Sequence, residues 1–230
     1  MDFDWTAIGR TLEQDGAAVL PGLLAPHQCR SLASLYDDAG DGTFRSRVVM
    51  ERHGFGRGEY KYFDYPLPEP VAQLREALYP RLVATANRWS EALGLGQHFP
   101  PSHSRYLARC HAAGQGRATP LMLRYGEGDY NCLHQDLYGE HVFPLQVVVL
   151  LSEPGRDFEG GEFVLVEQRP RMQSRPLVVP LGLGDAAVFA VRHRPVQGTR
   201  GPYRVAMRHG VSRIRGGQRT TLGIIFHDAA

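Results

Sequence analysis

Leu121-Met122-Leu123-Arg124-Tyr125, Leu145-Gln146-Val147-Val148-Val149-Leu150-Leu151 and Thr220-Thr221-Leu222-Gly223-Ile224-Ile225-Phe226 are three of six short apolar or β-branched segments in the second half of the chain. The other three run over residues 162–167, 186–191 and 203–211. Turn signals separate them: Gly160-Gly161, Gly182-Leu183-Gly184-Asp185 and Gly216-Gly217. Close-spaced strands with no intervening helical pattern predict a sandwich or barrel-like double sheet and argue against a doubly wound parallel sheet.

Ahead of residue 120 the apolar period lengthens. Trp5, Ile8 and Leu12 repeat at helical spacing, residues 26–38 carry Cys29, Leu32, Leu35 and Tyr36 on one stripe, and residues 71–93 carry Leu74, Leu78, Leu82, Val83, Ala86 and Trp89. Pro80 falls inside the third pattern and predicts a kink or a split there. Residues 40–68, rich in Gly, Arg and aromatics, read as loop. The expected organisation is therefore mainly β with N-terminal helices, a helical and loop region over residues 1–119 packing on a core over 120–230.

Composition narrows the class. The 230 residues are 43% hydrophobic and 22% charged, enough to bury a core. The longest apolar run, 186–191, is too short to cross a bilayer, and the acidic N-terminus lacks the pattern of a signal peptide. Three cysteines without a CxxC pair suggest neither a disulfide framework nor a cysteine zinc site. These features predict a cytoplasmic protein that is not inserted in a membrane. Net charge is only +2, yet Lys61 is the sole lysine, and residues 169–219 hold eleven arginines against one carboxylate, Asp185. Such a stretch could face phosphates, or form a solvated face.

His134-Gln135-Asp136 carries the chemistry. On a strand, residues i and i+2 share a face, so imidazole and carboxylate converge. Adding His209 gives two histidines and one carboxylate, the set that holds iron while leaving coordination positions open. Arg219, ten residues further on, can clamp a carboxylate, and Thr221 on the same strand face can add a hydroxyl.

His134-x-Asp136, His209 and Arg219-x-Thr221 together resemble the pattern of the Fe(II)- and 2-oxoglutarate-dependent dioxygenases. The lead-in Arg124-Tyr125-Gly126-x-Gly128-x-Tyr130, the hairpin Phe158-Glu159-Gly160-Gly161-Glu162 and the run Gly184-Asp185-Ala186-Ala187-Val188-Phe189 sit where the prolyl-hydroxylase-like branch has them. The resemblance implies a double-stranded β-helix (jelly-roll, cupin-like) core. It implies His134, Asp136 and His209 as Fe(II) ligands, and Arg219 and Thr221 as holders of the distal carboxylate of 2-oxoglutarate. O2 is the oxidant, and ascorbate can assist. Tyr125 resembles a tyrosine that contacts that carboxylate, and it reads equally as a core aromatic; Gln146 could point into the same pocket. Cys132 reads as a buried structural cysteine or a pocket-lining thiol, and His141 and His193 lie near enough in sequence to line the mouth.

For the substrate, Arg52-His53-x-x-Gly56-Arg57-Gly58-Glu59-Tyr60-Lys61-Tyr62-Phe63, the HxD context and residues 209–227 resemble a bacterial family of stand-alone oxygenases described as acting on alkylated DNA. Two segments could meet single-stranded or alkylated nucleic acid: 44–65, where basic residues interleave with aromatics, and 192–208 with Arg192, His193, Arg194, Arg200, Arg204 and Arg208. AlkB-type dealkylases carry two arginines on the strand after the distal histidine, further along than Arg219, and this chain offers no second one. A protein or peptide (prolyl) hydroxylase and a small-metabolite hydroxylase are the rival enzymes. A metal-bound barrel that binds or senses without turnover is the non-enzymatic alternative, and the intact clamp argues against it.

Overall fold

The alternation beginning at residue 121 becomes antiparallel sheet in the computed structural model, which describes residues 2–38, 40 and 42–230. Four helices come from the first half: α1 (Trp5–Asp15), α2 (Pro26–Asp38), α3 (Glu69–Ala92) and α4 (His103–Ala112). Between them lie β1 (Ala17–Leu20), β2 (Phe44–Val49), β3 (Gly56–Arg57) and β4 (Glu59–Phe63). The second half supplies β5 (Leu121–Tyr125), β6 (Tyr130–His134), β7 (Leu145–Leu150), β8 (Phe158–Gly160), β9 (Phe163–Gln168) and β10 (Arg175–Val179). It ends with β11 (Ala186–Ala190), β12 (His193–Gly198), β13 (Gly201–Val211), β14 (Ile214–Gly217) and β15 (Arg219–Ile224).

Seven strands form the major sheet in the order β1-β11-β7-β15-β5-β4-β2. Six form the minor sheet, in the order β10-β9-β13-β6-β3 with β12 paired to β13 off that path. This is the expected jelly-roll core with N-terminal helices. All six residues of β7 are buried, as a strand needs when both faces of its sheet are covered. Each fully buried Val or Leu there contributes roughly 1.5–3 kcal/mol. The stripe Val71, Leu74, Leu78, Leu82, Ala86 and Trp89 of α3 joins the same apolar cluster as β7, β11 and β15. Among the described residues no helix is long and apolar enough to cross a membrane.

Two expectations are corrected, the loop over residues 40–68 and the split at Pro80. Residues 40–68 are not loop throughout: β2 and β4 pair antiparallel, and β4 continues the major sheet against β5. Their charged residues mask a period-two pattern that distant partners satisfy. Arg45 donates to the Ala118 carbonyl at 2.9 Å and lies over the Tyr62 ring, and Lys61 donates to the Tyr36 carbonyl at 2.6 Å. Pro80 does not split α3, because Leu78, Tyr79 and Leu82 on either side of it are anchored in the core. Helix α4 was not anticipated. Strands from before residue 120 belong to the same two sheets as those after it.

Candidate active site

Antiparallel pairing of β6 with β13 sets His134 directly opposite His209, which is how residues seventy-five apart in sequence come together. Their ring centroids are 4.2 Å apart. Asp136 lies just beyond the end of β6, so it reaches the histidines through the chain's departure from the strand and not through strand alternation. Gln135 supports that departure: its side-chain amide donates to the Met207 carbonyl at 2.8 Å and to the Arg192 carbonyl at 3.3 Å. Asp136 Oδ1 is 3.5 Å from His134 Nε2, and Oδ2 is 3.3 Å from His209 Nε2. One donor atom from each of the three residues falls within 4.8 Å of the others.

Burial opposes ionisation of Asp136, but hydrogen bonds and charge from His134 and His209 outweigh it and hold the carboxyl well below its usual range. Burial lowers His209. It opposes the charged form of His134 as well, yet the Asp136 carboxylate raises that imidazole overall. His134 Nδ1 donates to the Cys132 carbonyl at 2.8 Å, which leaves Nε2 as its free donor atom. Two imidazole nitrogens and one carboxylate oxygen suit Fe(II).

Arg219 opens β15 opposite Tyr125 of β5, and Thr221 follows two residues on. The Arg219 side chain is buried, and among the described residues its Nε and Nη1 have no partner. Burial pushes this guanidinium down to about 10. Glu162 offsets this charge from a distance without a hydrogen bond to it; a buried cation without a contacting counter-charge is costly, and a dicarboxylate cosubstrate supplies one. Tyr125 is fully buried and its hydroxyl accepts from Asn131 Nδ2 at 3.2 Å. One cavity of about 410 Å3 is lined by the histidines and Asp136 at one side and by Tyr125, Arg219 and Thr221 at the other, with Gln146 on its wall. Cys132 also lines it and is exposed, which overturns the reading of a buried structural thiol. His141 is not among the lining residues, and His193 lines a neighbouring cavity.

The basic and aromatic segments are partly consumed by the fold. Phe44 stacks on Phe63, Arg47 pairs with Glu59, and Arg45 and Lys61 are tied as above, so residues 44–65 leave Arg52, His53, Phe55 and Arg57 outward. Phe55, 48% exposed, reaches the cavity mouth beside Leu133 and Leu137. Arg194 is buried against Glu167 and is lost to any phosphate.

Sequence reasoning gave three residues no role beside the His–Asp–His cluster. The Tyr138 hydroxyl donates to Asp136 Oδ1 at 2.9 Å, and the Tyr62 hydroxyl donates to Tyr138 at 3.0 Å. The Gln115 side-chain amide donates to the Tyr138 and His141 carbonyls at 2.9 and 3.1 Å, while its oxygen accepts from His141 N at 2.7 Å. Gly139 passes so close that a Cβ would fall 2.5 Å from Gln115, and its φ of +97 suits glycine. Only the i+2 position of Tyr138 hinted at a role. Tyr138→Phe is expected to weaken Mn(II) or Co(II) binding about tenfold without lowering the melting temperature; titration calorimetry checks this, and unchanged affinity would reduce Tyr138 to packing.

Among solved structures, a Burkholderia pseudomallei oxidoreductase of the 2OG-Fe(II) oxygenase family superposes with a TM-score of 0.56 at 18% identity, covering 100% of this chain and 94% of that one. A Pseudomonas putida prolyl-4-hydroxylase gives 0.55 at 17% identity, covering 98% and 99%. Such identities establish a shared fold. With the His–Asp–His donor set and the cavity beside it, the chain is an oxidoreductase of the Fe(II)- and 2-oxoglutarate-dependent class. More narrowly, the model of the Oxygenase-NA family matches residues 58–229, and the chain belongs to that family, described as "Oxygenase, catalysing oxidative methylation of damaged DNA". The uncharacterized proteins Rv2227 and MT2286 of two Mycobacterium tuberculosis strains are each 54% identical to it over 190 residues, covering 83% of this chain and 79% of theirs.

Proposed function

We propose that the protein oxidatively removes N-methyl groups from alkylated nucleic acid, in the manner of a repair enzyme. The observation that carries this reading is the aromatic wall of the cavity: Tyr60, Tyr62 and Tyr138 stand beside the three metal-ligating candidates, a lining suited to stack a base taken out of its strand. Exposed Phe55 at the mouth offers a surface to the bases left behind. The family description, with its damaged DNA, points the same way.

In this reading His134, Asp136 and His209 hold Fe(II), and Arg219 and Thr221 receive the distal carboxylate of 2-oxoglutarate. Tyr125, beside Arg219, shields that ion pair from water. Tyr62 and Tyr138 orient Asp136. Residues 120–230 thus carry the ligands, while residues before 120 supply Tyr62, Gln115 and Phe55 of the rim. When bound, the metal and cosubstrate let O2 insert one oxygen into a substrate C–H as 2-oxoglutarate leaves as succinate and carbon dioxide. Four electrons balance, two from the cosubstrate and two from the C–H. A methyl on nitrogen becomes a carbinolamine, which loses formaldehyde and returns the free N–H; an oxygenase therefore removes a methyl group.

A second reading, hydroxylation of a peptide, draws on the apolar rim of Phe55, Leu133 and Leu137. Mass spectrometry of a single-stranded oligonucleotide carrying N-methylated bases separates the two. The protein, Fe(II), 2-oxoglutarate and ascorbate should remove one methyl mass per succinate formed, and His134→Ala should do neither. Succinate without a change in the oligonucleotide would refute the nucleic-acid reading and move the search to peptides and metabolites.

A further inference from the structure

A second cavity of about 320 Å3 adjoins the first, and Leu137, flanked by Asp136 and Tyr138, lines both. Arg192, His193 and Arg204 line the second cavity. Arg192 ends the connection from β11, and Arg204 lies on β13, opposite Pro195 of β12. Both are exposed.

Charge accounting leaves these two arginines without an ion pair among the described residues, as it does Arg171, Arg200, Arg208 and Arg213, and of these six only Arg192 and Arg204 line the second cavity. Of the basic residues between 169 and 219, Arg169, Arg175 and Arg194 share Glu167. Arg215 faces Glu162. Asp185, the one carboxylate in the stretch, accepts from the backbone N–H groups of Gly22 and Gly182. Among the described residues Arg192 and Arg204 thus retain no carboxylate from their own stretch. Their charges are felt by His193, which burial chiefly, and both guanidiniums in addition, push down to about 4. The imidazole is neutral at physiological pH, so the largely apolar cavity holds two cations, a neutral donor or acceptor and one acid, Glu140, for a net positive lining.

We propose that this cavity seats a backbone phosphate of the nucleic-acid strand whose modified base occupies the active-site cavity. The inference rests on the nucleic-acid reading above. Two guanidiniums, one just ahead of β12 and one on β13, can grip a phosphodiester from two sides. Arg208, two residues beyond Ala206 on the same face of β13 as Arg204, prolongs the cationic track. The seat is also tied to the metal: Gln135, between the two HxD ligands, donates to the Arg192 carbonyl. Occupancy by phosphate therefore steadies the segment that carries Asp136, and the substrate's backbone registers its base at the iron.

The test is fluorescence anisotropy with a fluorescein-labelled single-stranded oligodeoxynucleotide containing one N-methylated base. The full-length protein carries Mn(II), and binding is followed across a potassium chloride series. The double variant Arg192→Ala/Arg204→Ala should bind about tenfold more weakly, with its salt slope reduced by about 1. Arg30→Ala, exposed on α2, removes a charge elsewhere and should keep the wild-type slope. Glu140→Gln should bind more tightly. Turnover of the corresponding methylated nucleoside, which lacks phosphate, should be the same in wild type and double variant. If the double variant keeps the wild-type slope while the wild type binds, the phosphate seat is refuted and the nucleic-acid reading survives. If the wild type shows no salt-dependent binding, both fall.

Discussion

Asp136→Ala is expected to abolish turnover and to lower affinity for divalent metal by more than about a hundredfold, while the chain stays folded. Removing one partner of a buried ion pair normally costs several kcal/mol because the other charge is stranded. Here the partners are imidazoles and can discharge. The Asp136 carboxylate is the chief influence that raises His134 against the effect of burial, so its loss favours the neutral ring, which strands no charge. Tyr138 loses an acceptor, but its hydroxyl still meets that of Tyr62. Melting temperature without metal should therefore hold while metal-induced stabilisation disappears. His134→Ala should behave the same way. His209→Ala should cost stability in addition, since its ring packs against Phe189 at 4.7 Å and Phe163 at 6.2 Å and leaves a hole between them. Retained turnover in any of the three would break the assignment of the metal ligands.

The readable part of this site is the part governed by local rules. Strand β5 matches its sequence signal at both ends, and β7, β11 and β15 match theirs to within two residues, because their apolar side chains are buried where they stand. His134 and His209 were legible as residue types; that they face each other is a matter of register between β6 and β13, which no short-range pattern encodes. What failed was long-range compensation. Arg194 read as a surface cation, yet Glu167 and the Glu13 carbonyl take it into the interior. Strand β2 read as loop because Arg45 and Arg47 broke its pattern, although Ala118 and Glu59 stand ready to receive them. Gln115 is one polar residue in a short connection until Tyr138 and His141, more than twenty positions on, fold against it. A charged side chain looks external until its partner is known, and here the partners lie up to 181 residues away.

Arg219→Ala should raise the concentration of 2-oxoglutarate needed for half-maximal turnover by about a hundredfold, taking each lost charge-assisted hydrogen bond at about 1.5–3 kcal/mol. The requirement for the primary substrate should hardly move. The reason lies in what the guanidinium lacks: among the described residues Nε and Nη1 are buried with no partner, and its Cζ lies over the faces of Tyr125 and Phe158, each 5.9 Å away. Even lowered to about 10 it stays protonated at neutral pH, so the fold maintains a buried cation that Glu162 offsets only in part, and whose desolvation is repaid further when an anion arrives. Deleting it relieves the empty protein of that burden, and the variant's loss of melting temperature should come from lost packing alone. Gly161 gives a second handle. A Cβ there would sit 2.3 Å from Ile214 Cδ1 and 2.8 Å from Arg219 Cδ, at a φ of +62 that disfavours other residues. Gly161→Ala should therefore raise the 2-oxoglutarate requirement in the same direction and by less, through displacement of an intact guanidinium. Succinate formation measured against 2-oxoglutarate concentration checks both variants. If neither shifts the requirement, the distal carboxylate is held by other residues, and Arg219 is left as a buried charge that the cosubstrate does not explain.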